Sequence, residues 1–239
     1  GVTRATTPDE LEPAFHEAMR VNRSEHIIVE KWLDGLEFGA QAFVSGDQVV
    51  SVICHNDTVT PPPHATPVGH SVPVTMDPET EQKAQMAVVA AVKAVGLRDV
   101  VSNVDLMLCE GVPYLIEIGA RMGATCLPEN VSLWGGFDAY EYVIRVALGA
   151  SPSIPSPARV ANAALLLQSP ATGIVTRCEI PESVRCHPQV TKVQLDVESG
   201  DPVRKFVLGP DRVGDIVVTA SSAFEAAKLA LELAAPVAL

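Results

Sequence analysis

The 239-residue chain has no apolar run long enough to cross a bilayer as a helix. It has no dense cluster of Lys and Arg, and its formal net charge is −12. A nucleic-acid binder would show a basic stripe, and an anionic membrane surface would repel this chain, so neither is an expected partner. Cysteine is sparse. Cys54, Cys109, Cys126, Cys178 and Cys186 are widely spaced and form no CxxC pair. That argues against a zinc site and for small buried apolar residues. With no disulfide framework and no signal-like N-terminus, the expected location is cytoplasmic. Internal repeats and low-complexity tracts are also absent. None of this excludes a nucleotide ligand, because a divalent cation supplies the compensating charge.

Several elements announce their own ends. TTPDELEPAFHEAM predicts a helix with Thr7 as N-cap, Pro8 in the first turn and Glu10 closing a capping box. HIIVEKWL reads as a strand, and EFGAQAFVSGDQVVSVICH as two strands around Ser45-Gly46-Asp47. TVTPPPHATPVGHSVPVTM is rich in proline and reads as a long ordered loop over 58–75. DPETEQKAQMAVVAAVKAVG predicts a helix capped by Asp77 and ended at Gly96. VVSNVDLML and PYLIEIG predict a hairpin, FDAYEYVIRVALG a helix, and SPSIPSPA a linker. Short strands then lead to a last helix opened by Ser222 and Glu225.

YLIEIGARMGAT begins like a buried strand, yet Glu117 sits inside it. With a three-residue loop over Glu110–Val112, Asp105 falls opposite Glu117 on one face. Like charges so placed repel, and a hard divalent cation such as Mg²⁺ removes the conflict. With a two-residue turn the register slips, and the two acids face opposite sides. A second cluster, VEKWLDGLEF, places Glu30 and Glu37 around a Leu33-Asp34-Gly35 turn. It could present backbone groups to a flat base, or be an ordinary strand and turn with solvated acids.

In this order, with a helix between them, HIIVEKWLDGLEF and NVDLMLCEGVPYLIEIGARMG resemble the ATP-grasp superfamily over about 1–149. The resemblance implies an α+β fold: a large lobe built on an antiparallel sheet with flanking helices, and a smaller C-terminal α/β subdomain. It divides the chain into a small-lobe remnant (1–28), the nucleotide- and metal-binding large lobe (29–150) and the C-terminal subdomain (151–239). Adenine recognition is implied for Glu30, Lys31, Trp32 and Leu33, and ribose binding for Glu37. Asp105 and Glu117 match the two acids that hold Mg²⁺, or Mn²⁺, with ATP. Where the family has an Asn as third ligand, this chain has Gly119.

Within the superfamily the chain most resembles carboxylate–amine ligases of the L-amino acid (dipeptide) ligase group. Arg121 matches a residue that contacts the acyl phosphate, and TPVGHSVP resembles a substrate loop whose His is His70. Pro67 replaces a Glu often found three residues before that His. ATGIV and RVGDIVVTASSAFEAAKLA resemble the group's C-terminal subdomain. The implied chemistry is amide formation through an acyl phosphate, with amino acids as carboxylate and amine substrates and a homodimer as a compatible assembly. Gly1-Val2-Thr3 resembles the end of the family's glycine-rich loop. By that resemblance the phosphate-binding lysines and pre-grasp domain are expected on a missing N-terminal segment or a partner chain, leaving this chain inactive alone. The alternatives are a biotin carboxylase-like or formate-activating enzyme, or a non-catalytic nucleotide-binding fragment.

Overall fold

The computed structural model describes residues 2–61 and 66–237. Gly1, and the 62–65 part of the loop expected over 58–75, lie outside them. The chain forms two compact units, Gly1–Gly35 and Leu36–Leu239.

The first unit contains helix α1 (Pro8–Val21). Thr7 is its N-cap, but the Thr7 side chain makes no capping bond. The reciprocal contacts lie one residue earlier, where Thr6 N and Oγ1 donate to Glu10 Oε2 at 2.6 and 2.8 Å. The strand expected over HIIVEKWL is not one. Residues 26–34 carry no regular structure, and Ile28 and Val29 are exposed. β-branched residues favour extended backbone, but a strand needs a ladder partner, and the described residues of this unit contain none.

The second unit is built on one eight-stranded sheet in the order β5-β4-β1-β2-β3-β6-β10-β8. Its strands are β1 (Leu36–Ser45), β2 (Gln48–Val59), β3 (Pro67–Val72), β4 (Val100–Cys109), β5 (Val112–Gly119), β6 (Asn162–Gln168), β8 (Val190–Leu195) and β10 (Arg212–Thr219). All neighbours are antiparallel. Two short strands, β7 (Gly173–Ile174) and β9 (Pro202–Val203), pair separately. The sheet bridges the boundary expected at residue 150, since β6, β8 and β10 extend the same ladder that begins at β5. Strand β3 lies inside the stretch expected to be irregular. Pro67 takes its first position and Pro73 follows its end, the two places where a strand tolerates a missing donor.

Paired residues share a face, so the ladder sorts the side chains. On one face Phe38, Ala40, Val104 and Leu106 pack under helix α2 (Pro78–Ala94), through Ala84, Val88 and Val92. Full burial of each larger side chain contributes about 1.5–3 kcal/mol. Asp77 caps α2, accepting from Glu79 N and Thr80 N at 3.1 and 3.0 Å, and Gly96 ends it at φ 70°. The same face is covered farther along by helix α6 (Ala223–Ala234), whose Ala226 and Ala230 meet Ala163, Ile216 and Val218. The opposite face carries Phe43, Ile53 and Val72 under helices α3 (Leu127–Gly135) and α4 (Ala139–Ala147). Helix α3 was not legible in the sequence; a four-residue helix, α5 (Glu182–Arg185), completes the set.

Candidate active site

The face opposite α2 is polar over β4, β1 and β2. One ladder row reads Glu117–Asp105–Gly39–His55 across four strands. Asp105 and Glu117 do stand opposite each other, but by a route different from the expected one. The hairpin turn has two residues, Glu110 at φ 50° and Gly111 at φ 78°, with Cys109 paired to Val112. Two positive φ values match the twist of the strands. Such a turn alone would set the acids out of phase. The ladder then shifts between Asp105 and Leu106, leaving Ile116 without a partner, and this bulge restores the Asp105–Glu117 pairing.

The burial expected of this strand is corrected. β5 is an edge strand, and Glu117 is exposed rather than dry. Neither Asp105 nor Glu117 forms an ion pair with a described residue. Asp105 Oδ1 accepts one bond, from Asn103 Nδ2 at 2.8 Å. Glu37 keeps solvent contact on the same face. Partial burial of its carboxyl, then the charges of Asp57 and Asp105, raise its pKa. Three like charges without a counter-charge suit a hard cation with oxygen ligands, so Asp105 and Glu117 fit Mg²⁺. Gly119 offers no side chain to it.

Arg121 is exposed, and Nη1 donates to the Met122 carbonyl at 3.0 Å. It pairs with no carboxylate among the described residues, so its fork remains available. Its loop is tied to the sheet twice: Asn103 N donates to Arg121 O at 2.8 Å, and Gly123 N donates to Gln41 Oε1 at 2.9 Å. In the Gly1–Gly35 unit, Trp32 Nε1 donates to Asp34 Oδ1 at 2.8 Å, and the Arg4 guanidinium lies 4.9 Å from the centre of the Trp32 ring. Glu30, Lys31 and Trp32 are exposed there, and Leu33 is half-buried.

His70 lies on β3, opposite Asp57. Its Nδ1 is 2.6 Å from Asp57 Oδ1, and the same oxygen is 2.8 Å from His55 Nδ1. The three side chains are buried, at 6%, 8% and 1% exposure for His70, Asp57 and His55. Burial alone would raise the Asp57 carboxyl, but the two imidazoles outweigh it, His55 first, and hold it well below the usual range. Burial lowers the His70 pKa against the opposing pull of Asp57. The His55 ring has room because residue 39 is glycine; a methyl group there would overlap the imidazole.

Farther along the face, Lys192 Nζ bridges Glu129 Oε1 at 2.8 Å and Asp215 Oδ1 at 3.0 Å. Asn130 is used structurally, its Nδ2 donating to Asn162 Oδ1 at 2.6 Å to tie α3 to β6. Sequence reasoning missed Gln41, His55, Asp57, Asn103 and Lys192. The alternation of His55 and Asp57 in CHND was the one available sign.

A model of the ATP-grasp domain matches residues 1–129, and one of the L-amino acid ligase C-terminal domain 2 matches residues 165–239. Human carnosine synthase 1 is 26% identical over 146 residues, which is 61% of this chain and 18% of that protein. The structure of phosphoribosylglycinamide synthetase from Anaerococcus prevotii overlays at a TM-score of 0.81 with 29% identity, covering 97% of this chain and 59% of that one. L-amino acid ligase from Bacillus licheniformis overlays at 0.80 with 22% identity, covering 98% and 59%. Biotin carboxylase structures overlay less closely than these two, at 0.74 and below. The chain thus spans about three fifths of the first two solved relatives, about half of the biotin carboxylases and 18% of the curated relative.

Proposed function

The chain belongs to the ATP-grasp family, and from that premise we propose that it carries the metal and nucleotide site of an ATP-dependent carboxylate–amine ligase. Enzymes of this family use ATP with Mg²⁺. The observation that carries the reading is the uncompensated Asp105–Glu117 pair on the polar face of the sheet. These two carboxylates would hold Mg²⁺, which when bound neutralises charge on the phosphates during transfer. Arg121, with no carboxylate partner, offers forked donors to an acyl phosphate formed on the substrate. Glu37 would accept from ribose hydroxyls, and Glu30, Lys31, Trp32 and Leu33 would recognise adenine. An amine then displaces phosphate and gives the amide. The names of carnosine synthase and L-amino acid ligase support amino acids as substrates.

The test is binding followed by product analysis. Titration with Mg²⁺ and ADP should lose its magnesium dependence in Asp105→Asn and in Glu117→Gln, with thermal unfolding unchanged. Glu37→Ala should weaken nucleotide binding by about 1–3 kcal/mol, the value of hydrogen bonds to a charged group. Together with the N-terminal segment expected to carry the phosphate-binding lysines, the protein should then be offered ATP with amino acids, bicarbonate or formate. Amide product with amino acids supports the ligase reading, and turnover with bicarbonate or formate alone replaces it.

A further inference from the structure

Five hydrogen bonds form an unbroken chain across the polar face, from the metal carboxylate to His70. Asn103 Nδ2 donates to Asp105 Oδ1 at 2.8 Å. Gln41 Nε2 donates to Asn103 Oδ1 at 2.6 Å and lies 3.2 Å from His55 Nε2. His55 Nδ1 and His70 Nδ1 both meet Asp57 Oδ1, at 2.8 and 2.6 Å. The direction of every link is fixed by chemistry. Gly123 N donates to Gln41 Oε1 at 2.9 Å, so the Gln41 amide must turn its NH₂ to Asn103 and His55. An NH₂ group only donates, so His55 Nε2 accepts and its proton sits on Nδ1. The ionised Asp57 carboxylate only accepts, so His70 also carries its proton on Nδ1. That leaves the lone pair of His70 Nε2 without a partner among the described residues.

We propose that Asp57 is a positioning residue that fixes His70 in the Nδ1–H tautomer, making His70 Nε2 the proton acceptor for the amine nucleophile. The second half rests on the ligase reading above. Substrate ammonium gives one proton to Nε2, and the freed nitrogen lone pair attacks the acyl carbon. The C–N bond forms as the C–O bond to phosphate breaks. The second nitrogen proton leaves with phosphate, and the His70 proton passes to water. Asp57 stays ionised and holds the ring, as a carboxylate orients an imidazole in other acyl-transfer sites.

The same three side chains place donor atoms within 4.8 Å of one another, the spacing of a metal site. The surroundings oppose that use. A metal on Nδ1 of His55 would send the proton to Nε2, where it would face the Gln41 NH₂, donor against donor.

The experiment has two arms. Imidazole ¹⁵N spectra of the unmodified protein should show His55 and His70 with protons on Nδ1. A proton on His70 Nε2 overturns the proposal, as does stoichiometric loss of both signals on adding Zn²⁺ alone. The second arm compares an amino-acid nucleophile with hydroxylamine, which is largely unprotonated at neutral pH and needs no base. In His70→Gln the rate of amide formation should fall about 10²-fold or more, the usual contribution of a general base. Hydroxamate formation should fall much less, and Asp57→Asn should change the ratio the same way. Equal loss with both nucleophiles, or no loss of amide, overturns the proposal. Both nucleophiles are offered to the chain supplied with the N-terminal segment expected to carry the phosphate-binding lysines; if that assembly forms no hydroxamate, the ligase reading fails instead, and the spectra decide the tautomer by themselves.

Discussion

Asp57 and Glu117 are strand carboxylates on the same face of one sheet, yet their surroundings are opposite. Asp57, on an interior strand, is 8% exposed and accepts from two imidazoles. Glu117, on the edge strand β5, is exposed and has no partner among the described residues. Where the sheet buries an acid, it supplies the donors from its own strands. Where it leaves acids opposite each other at its edge, they face solvent without a counter-charge among the described residues. The comparison therefore separates a carboxylate that organises the protein from one left open to solvent, where the proposed metal would bind.

The sharpest way to break that comparison is Asp105→Asn. In the ligase reading, turnover should drop by about 10²–10³-fold or more, while the urea midpoint stays within error. A large shift of the midpoint would move Asp105 into the structural class. Asp57→Ala should do the reverse in the denaturant melt. It orphans two buried imidazole N–H donors and should cost about 3 kcal/mol of stability. Gly39→Ala comes next: its methyl group meets the buried His55 ring, and overpacking of this kind costs about 1–3 kcal/mol. A fluorescence melt of that variant should show the loss without any change of net charge.

Acid should have a smaller, graded effect. Both His70 and Asp57 have folded pKa values lowered from their ordinary ones. Groups of this kind contribute stability that is present above the unfolded pKa and lost as pH falls. Thermal midpoints should therefore drop below about pH 6.5 and again below about pH 3.9, the unfolded values for His and Asp. Asp57→Asn should lack the lower limb. Glu117→Gln should change stability least, within about 0.5 kcal/mol in the absence of Mg²⁺, as expected for an exposed site.

Elements whose signals are local could be read in advance. The caps at Asp77 and Ser222 and the glycine ends at Gly96 and Gly149 all rest on chemistry within one turn. The Asp105–Glu117 pairing was anticipated from a loop length that the hairpin does not have, and the bulge at Ile116 corrected the count. HIIVEKWL has the composition of a strand, but composition does not supply a neighbouring ladder. The His55–Asp57–His70 cluster was hidden for a related reason. It needs β3 beside β2, and β3 lies in a proline-rich stretch that local rules assign to a loop.

The unpaired Ile116 can also be described as a change of phase. Upstream of it, strand β5 follows the alternation set by the turn; downstream, that alternation is offset by one step. Glu117 takes its facing from the shifted half. The turn geometry and the orientation of Glu117 are therefore separate degrees of freedom in this hairpin. Removing Ile116 would straighten the ladder and keep Glu117 opposite Asp105.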